Sequence, residues 1–500
     1  MLRKSIFILT AVFWIFTLFL FYKIEILPCK RLKYPYREFL PSDLVLRNEW
    51  FGVYFNQNKI GYADFTVGLD DIDARTEYKI NGEAFVVFPV LGISKKSWVQ
   101  VKSHIDSEYR LKDFYFSFLA EGLKTEIKAE RTGNSEFELE VQEGGRVSKR
   151  KIELPEGIVL GSIFGPPKEL KHPKVGRKMK FYTFNPLTLK PEQVYLEVIS
   201  KEKMKFEGEA GNVYLVKTKF SGLESNAWID EEGRLLKEES PLGISIVREP
   251  QMKALAFLSE VKDVSWDLAD VFSLPSNVRL EPYRIKNLTV LLRAKNLDSQ
   301  KLLNERQTIL ETRSLKRGIK EICLKITKDV SGVFLEDKEK YLKSDNFIQA
   351  QDPKIKALAA YLSKDSPDGV VKVKNIMNWV YNYLAKKATL SIPSALNALN
   401  LRQGDCNEHT FLFAAIARSA GIPAKVKNGL VYIRGRFYYH SWPAVYINKS
   451  WIDVDPTLNQ FPADPTHIML VEGELSAQFD ILKILGRIEI EVKGYEQNSN

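Results

Sequence analysis

Cys406 stands in a tight turn after Gly404 and Asp405, just ahead of an apolar helical pattern that runs to Ala420. A structural thiol would sit inside the apolar stripe, whereas this one sits where the backbone changes direction. Asp405 is placed to cap the helix, and Glu408 three residues on completes a capping-box spacing. Cys406 then becomes the first helical residue. There the unpaired N–H groups and the positive end of the macrodipole favour thiolate over thiol. The same amides can donate to an oxyanion formed on a substrate carbonyl. The chemistry this suits is nucleophilic attack by sulfur.

Such a nucleophile needs a base and a group that orients the base. The stretch FYYHSWPAVYINKSWIDVDPT, residues 437–457, reads as a hairpin with Asn448 and Lys449 in a two-residue turn between Ile447 and Ser450. Extending that register pairs Trp442 with Asp455 and His440 with Thr457. Alternation then puts His440, Trp442 and Asp455 on one face, with His440 and Asp455 as diagonal neighbours. A slip of one residue would turn Asp455 to the opposite face. Pro443 lacks a ladder donor, so the strand is read as an edge or as locally irregular there.

Other residues invite chemical roles and have plainer readings. His409 lies one helical turn after Cys406, where two side chains of one helix meet poorly for in-line attack, so it is read as packing. Asp453 shares the expected face of Asp455 and is an alternative orienting group. His467, in DPTHIML, is read as structural. A zinc site built from Cys406, His409 and His440 is the metal-based alternative. Gln403 and Trp379 are candidates for a side-chain oxyanion donor. The other cysteines, Cys29 and Cys323, make an odd, sparse set that is no disulfide framework. Cys323, in the apolar middle of IKEICLKITKDV, is expected as a buried core thiol.

The elements that must position these groups change character along the chain. From about residue 46 to 262 apolar residues recur with period two between turn signals, as in NQNK, EGG and the Gly233 turn of NAWIDEEGRLLKEE. This predicts an antiparallel meander, a curved sheet or open barrel. Residues 263–345 are a mixed β/α stretch. From Asp352 the spacing becomes helical, with Val371, Ile376, Trp379, Val380 and Leu384 on one broad face, and the helix after Cys406 exits at Gly421-Ile422-Pro423.

GDCNEHTFLFAAIARSAGIPAK, then YHSWPAVYI, then WIDVDPT resembles the transglutaminase-like superfamily, whose core is related to papain-like cysteine proteases. The resemblance rests on GDC at a helix start, the GIPA exit, H-x-W on a strand and the W-x-x-x-D-P-T segment, and it spans about residues 350–490. It implies an α+β domain over 346–493 in which Cys406 is the nucleophile, His440 the base and then the acid, and Asp455 the orienting group. It also implies a core that needs no metal or other cofactor.

The full 500 residues carry a formal charge of +10 without a nucleic-acid motif around the basic clusters, and no nucleic-acid partner is expected. Residues 5–22 are an uncharged apolar run, roughly 27 Å long as a helix and near the ~30 Å of a bilayer core. They are read as an uncleaved transmembrane anchor after a short basic N-terminus (1–4). A linker (23–45) follows, and residues 494–500 form a tail. The bulk of the chain is expected outside the cytoplasm. The expected fold class is therefore α+β: an N-terminal transmembrane helix, an antiparallel β-rich domain, a mixed middle region and a C-terminal transglutaminase-like domain. The expected function is thiol-dependent acyl transfer or hydrolysis on amide bonds of cell-envelope peptides or proteins. The alternative is an idle triad on a membrane-anchored scaffold that binds partners through its β-rich domain.

Overall fold

A computed structural model describes most of residues 29–497; the longer stretches outside the description are 41–46, 162–169, 261–267, 329–336 and 388–393. Among the described residues strands take 54 % and helices 19 %, so the chain is mostly β and the expected α+β class is corrected. Two things tip the balance. The N-terminal region forms one 16-stranded sheet, and the middle region, expected to be mixed, contributes strands joined by short 3-10 turns. The anchor expected at residues 5–22 lies outside the described residues, and no described helix is long and apolar enough to cross a membrane.

Alternation of apolar and polar residues builds the large sheet as two meanders. One runs from Arg47–Phe55 to Arg146–Glu153 and the other from Lys178–Asn185 to Ile244–Arg248. They are fused where Ile244–Arg248 pairs antiparallel with Arg47–Phe55. Two of the expected turns are present, with Asn56 and Gln57 both at positive φ and Gly233 likewise, while the glycines of the EGG turn, 144 and 145, lie outside the described residues. The strands bury their alternate side chains in one shared cluster, and Phe114 meets Phe184 at 4.9 Å across it, so the sheet curls around its own core.

The middle region forms a four-stranded sheet in which Ile285–Lys295 lies between Ile319–Thr327 and Glu489–Gln497. The last strand crosses the expected boundary at 493/494. Cys323 is half-buried on this sheet, not in the core, because its neighbours Ile322 and Leu324 take the inward positions.

The C-terminal region stacks four helices, α1 (Pro353–Ser363), α2 (Gly369–Tyr383), α3 (Ala395–Leu401) and α4 (Cys406–Ser419), against a five-stranded sheet. Its main strands are β1 (Ala424–Ile433), β2 (Arg436–Ile447), β3 (Ser450–Asp453) and β4 (Ile468–Glu472). From Phe411 to Ala417 every side chain of α4 is buried, which makes it the central helix. The sheet has helices at one end: Ala424 and Val426 of β1 join the helical core. At the other end Leu430 and Tyr432 join the core shared with the middle sheet. The curled sheet touches this region through Asn397 of α3, whose Nδ2 donates to Glu143 Oε1 at 2.7 Å. That contact borders a cleft of about 250 Å3 also lined by Ile127, Val141, Phe347 and Leu396.

Candidate active site

Local chemistry sets the start of α4. Asp405 caps it, accepting from the Asn407 amide at 2.8 Å, while Glu408 Oε2 accepts from the Asp405 amide at 2.9 Å, completing the capping box. Gly404 is required beneath it, because a Cβ there would collide with the Cβ of Glu408. Cys406 is thereby the first helical residue. Its own amide has no acceptor among the described residues, since the Asp405 carboxylate takes the next two amides and the Asp405 carbonyl takes that of His409.

β2 supplies the other side of the site. It pairs with β1 along nearly its whole length, with His440 opposite Gly429. On its other side, among the described residues, it has strand neighbours only at the ends: Leu274–Pro275 against Phe437 and Arg436, and β3 against Ala444–Ile447. The bare stretch between them is where α4 docks. The Ser441 amide donates to the Cys406 sulfur, and the Thr410 hydroxyl donates to the Ser441 carbonyl at 3.0 Å. One residue of β2 thus grips the first turn of α4 at two points, beside His440. Pro443 points its missing N–H to this same side, where its carbonyl accepts from the Val454 amide, so it costs no bond to β1.

The hairpin register follows the sequence reading as far as Asp453: Ile447 faces Ser450, Val445 faces Ile452 and Ala444 faces Asp453, with Asn448 and Lys449 both at positive φ. Beyond that point the ladder ends. Trp442 does not pair with Asp455, nor His440 with Thr457. Asp455 instead sits in a turn closed by a bridge to Gln460, and it reaches His440 from there. His440 Nε2 lies 2.8 Å from Asp455 Oδ2, while Oδ1 accepts from the amides of Thr457 at 2.7 Å and Leu458 at 3.0 Å. Asp455 is fully buried. With Nε2 donating to a carboxylate, the lone pair of His440 is on Nδ1.

His467, read from sequence as structural, touches this site directly. Its Nε2 lies 3.0 Å from the same Oδ2 of Asp455, and its Nδ1 lies 3.2 Å from the Asp464 carbonyl and 3.5 Å from Asp464 Oδ1. Burial alone would raise the Asp455 carboxyl and depress the His467 imidazole. The two imidazoles outweigh burial at Asp455, which is held well below the usual carboxylate range. Asp455 and Asp464 outweigh it at His467, which is pushed up to about 9.

Asp453, the alternative orienting group, is committed elsewhere. Its Oδ2 accepts from Trp442 Nε1 at 2.9 Å and lies 3.1 Å from Arg306, and its Oδ1 accepts from Lys427 Nζ at 2.7 Å. Lys427 is fully buried and also bonds Glu305. Against burial, these cations hold Asp453 well below its ordinary range. This cage pins the end of β3, two residues before Asp455, to the middle region. His409 donates from Nδ1 to the Asp405 carbonyl at 2.7 Å, one turn back along its own helix, and burial lowers its pKa. Trp379 is stacked on Tyr383 at 4.2 Å, and Gln403 lies half-buried in the short strand Gln403–Gly404.

The thiol's surroundings differ from the sequence expectation. Burial, the Asp405, Glu408 and Asp455 carboxylates push Cys406 well above its ordinary value, opposed by the Ser441 amide. The capping carboxylates that build the helix start also cancel its positive field. His440, Asp455 and His467 bring three potential ligand atoms within 4.8 Å of one another. Both imidazoles, however, present N–H groups to one carboxylate oxygen, which accounts for the cluster without a metal ion.

Residues 356–456 match the family model of the transglutaminase-like superfamily. No curated protein matches the sequence. Among solved structures, the chain is similar to a candidate cysteine protease from Cytophaga hutchinsonii, at 18 % identity over 43 % of this chain and 90 % of that one, with a TM-score of 0.30. It is also similar to a β-barrel-like protein of a domain family of unknown function from Brucella abortus, at 9 % identity over 42 % and 96 %, with a TM-score of 0.30. A third is the periplasmic domain of TgpA from Pseudomonas aeruginosa, solved with ethylmercury, at 16 % identity over 38 % and 93 %, with a TM-score of 0.28. Residues 356–456 therefore form a transglutaminase-like domain.

Proposed function

We propose that the chain catalyses thiol-dependent acyl transfer or hydrolysis on amide bonds of peptides or proteins, with Cys406 as nucleophile, His440 as base and then acid, and Asp455 as the group that orients His440. The observation that supports this reading is the seat of Cys406 at the first turn of α4, which Thr410 ties to Ser441, the residue next to an imidazole bonded through Nε2 to a buried carboxylate. The thiol starts protonated. As its sulfur bonds to the amide carbonyl carbon, the proton passes to His440 Nδ1 and the oxyanion accepts from the free Cys406 amide. Collapse breaks the C–N bond, the amine leaves with the proton from His440, and a thioester remains. Water then yields an acid, and an amine yields a new amide.

The test is ammonia release from glutamine-containing peptides by the full chain, with and without a fluorescent primary amine, and intact-mass detection of an acyl adduct on Cys406 after acid quenching. Turnover that disappears in both Cys406→Ser and His440→Ala supports the reading. Turnover that survives either substitution refutes it. Incorporation of the amine distinguishes transfer from hydrolysis.

A further inference from the structure

Asp455 Oδ2 receives two imidazole nitrogens at nearly equal distance, His440 at 2.8 Å and His467 at 3.0 Å. A base and its orienting carboxylate need only the first. The second ring is the more deeply enclosed: His467 is buried, and both of its nitrogens face oxygen acceptors, Asp455 on one side and the carbonyl and carboxylate of Asp464 on the other. Each nitrogen therefore needs its own proton. Asp464 is in turn fixed by the amide and hydroxyl of Thr466. Along this line the charges alternate: Asp464 negative, His467 positive, Asp455 negative, then His440.

We propose that His467 is a positioning residue for the reaction proposed above: a buried imidazolium that anchors Asp455, takes up part of its charge and so weakens the pull of that carboxylate on a second proton at His440. A lone buried carboxylate beside His440 would draw a proton onto it and leave no base for Cys406. The second cation counters this in two ways. It shares the carboxylate oxygen, and its ring lies 5.8 Å from that of His440, where like charges repel. The ring packed against both is Trp442, at 5.2 Å from His467 and 6.1 Å from His440. Cys406 and His409 also lie within electrostatic reach of Asp455, His409 being bonded to the Asp405 carbonyl, while Asp453 is matched by Lys427 and Arg306. This inference rests on the catalytic reading, yet it concerns the protonation of His440 and can fail independently of it.

With only five histidines in the chain, their ring Cε1 resonances can be followed by NMR in the full protein from pH 5 to 10. In the wild type, one signal, absent from His467→Gln, should titrate only near pH 9. In His467→Gln, which keeps an N–H donor but no charge, the His440 midpoint should rise by about one pH unit, and the acid limb of Cys406 alkylation should move with it. In Asp464→Asn the His467 midpoint should fall, and the His440 midpoint should rise once His467 has lost its proton. A His440 midpoint unchanged in folded His467→Gln overturns the proposal, as does a His467 signal titrating at its ordinary value in the wild type. If His467→Gln does not fold, Asp464→Asn gives the same decision. Failure of the catalytic reading looks different: Cys406 alkylation would then be insensitive to His440→Ala whatever His467 does.

Discussion

Asp455→Asn is the substitution for which the site makes the sharpest demand. The amide oxygen of asparagine can take over Oδ1, accepting from Thr457 and Leu458 at 2.7 and 3.0 Å, so the turn is retained. The NH2 group then occupies the place of Oδ2, where two N–H donors already point, at 2.8 Å from His440 and 3.0 Å from His467. His440 can relieve its clash only by moving its proton to Nδ1, the nitrogen that must accept from Cys406. The analogous carboxylate-to-amide change in a serine protease triad costs about 10^4 in rate through the wrong tautomer, or about 5.5 kcal/mol of barrier. The stability cost is that of leaving His467 with one anionic partner in place of two, about 3 kcal/mol, the low end for removing one partner of a buried pair, within the 5–15 kcal/mol of a typical domain. The assay is kcat/KM for ammonia release, run beside a thermal melt. A folded variant that loses less than about tenfold would refute the orienting role of Asp455.

Three further outcomes follow from features away from the reacting atoms. Gly404→Ala should break the capping box by displacing Glu408, costing about 1 kcal/mol of stability and at least about tenfold in kcat; wild-type turnover would show that the helix start tolerates the move. Lys427→Met leaves Asp453 and Glu305 short of a buried cation and should cost about 3–5 kcal/mol in urea unfolding; a loss below about 1 kcal/mol would mean the cage is relaxed by other groups. Glu143, pushed up to about 7 by burial against the Asn397 bond, favours folding while protonated. Its contribution is complete below its unfolded value and is lost as pH rises through 7, about 3 kcal/mol at 1.36 per unit. Melting temperature should therefore lose this contribution between about pH 4.5 and 7.5 in the wild type and not in Glu143→Gln, so the difference between the two should change across that window; parallel pH profiles would contradict this.

What the sequence disclosed depended on how far each contact reaches along the chain. The capping box around Cys406 is a three-residue pattern, and the hairpin turn at Asn448 and Lys449 fixes its register through Asp453. Asp455 was placed beside His440 by extending that ladder, but the ladder stops and a turn does the work. His467 arrives from the start of the return strand β4, whose partner β1 no periodicity identifies. The one local hint was Asp464 three residues before it. Alternation revealed the N-terminal strands, while the fusion of two meanders through Ile244–Arg248 and Arg47–Phe55 joins segments nearly two hundred residues apart and leaves no local mark. The middle strands were ambiguous because their apolar runs are short, and one of their partners is Glu489–Gln497.

That last pairing has a consequence for how the molecule comes into being. Arg293 and Glu491, which meet across it, are 198 residues apart in sequence, and Asn277 meets Val492 across 215. As the chain emerges from a ribosome, the strand Ile285–Lys295 must wait without this neighbour while the whole C-terminal unit is made. Glu305 and Arg306 must likewise wait for Lys427 and Asp453. The support beneath the hairpin that carries His440 and Ser441 is thus completed late, only once Lys427 and Asp453 have been made.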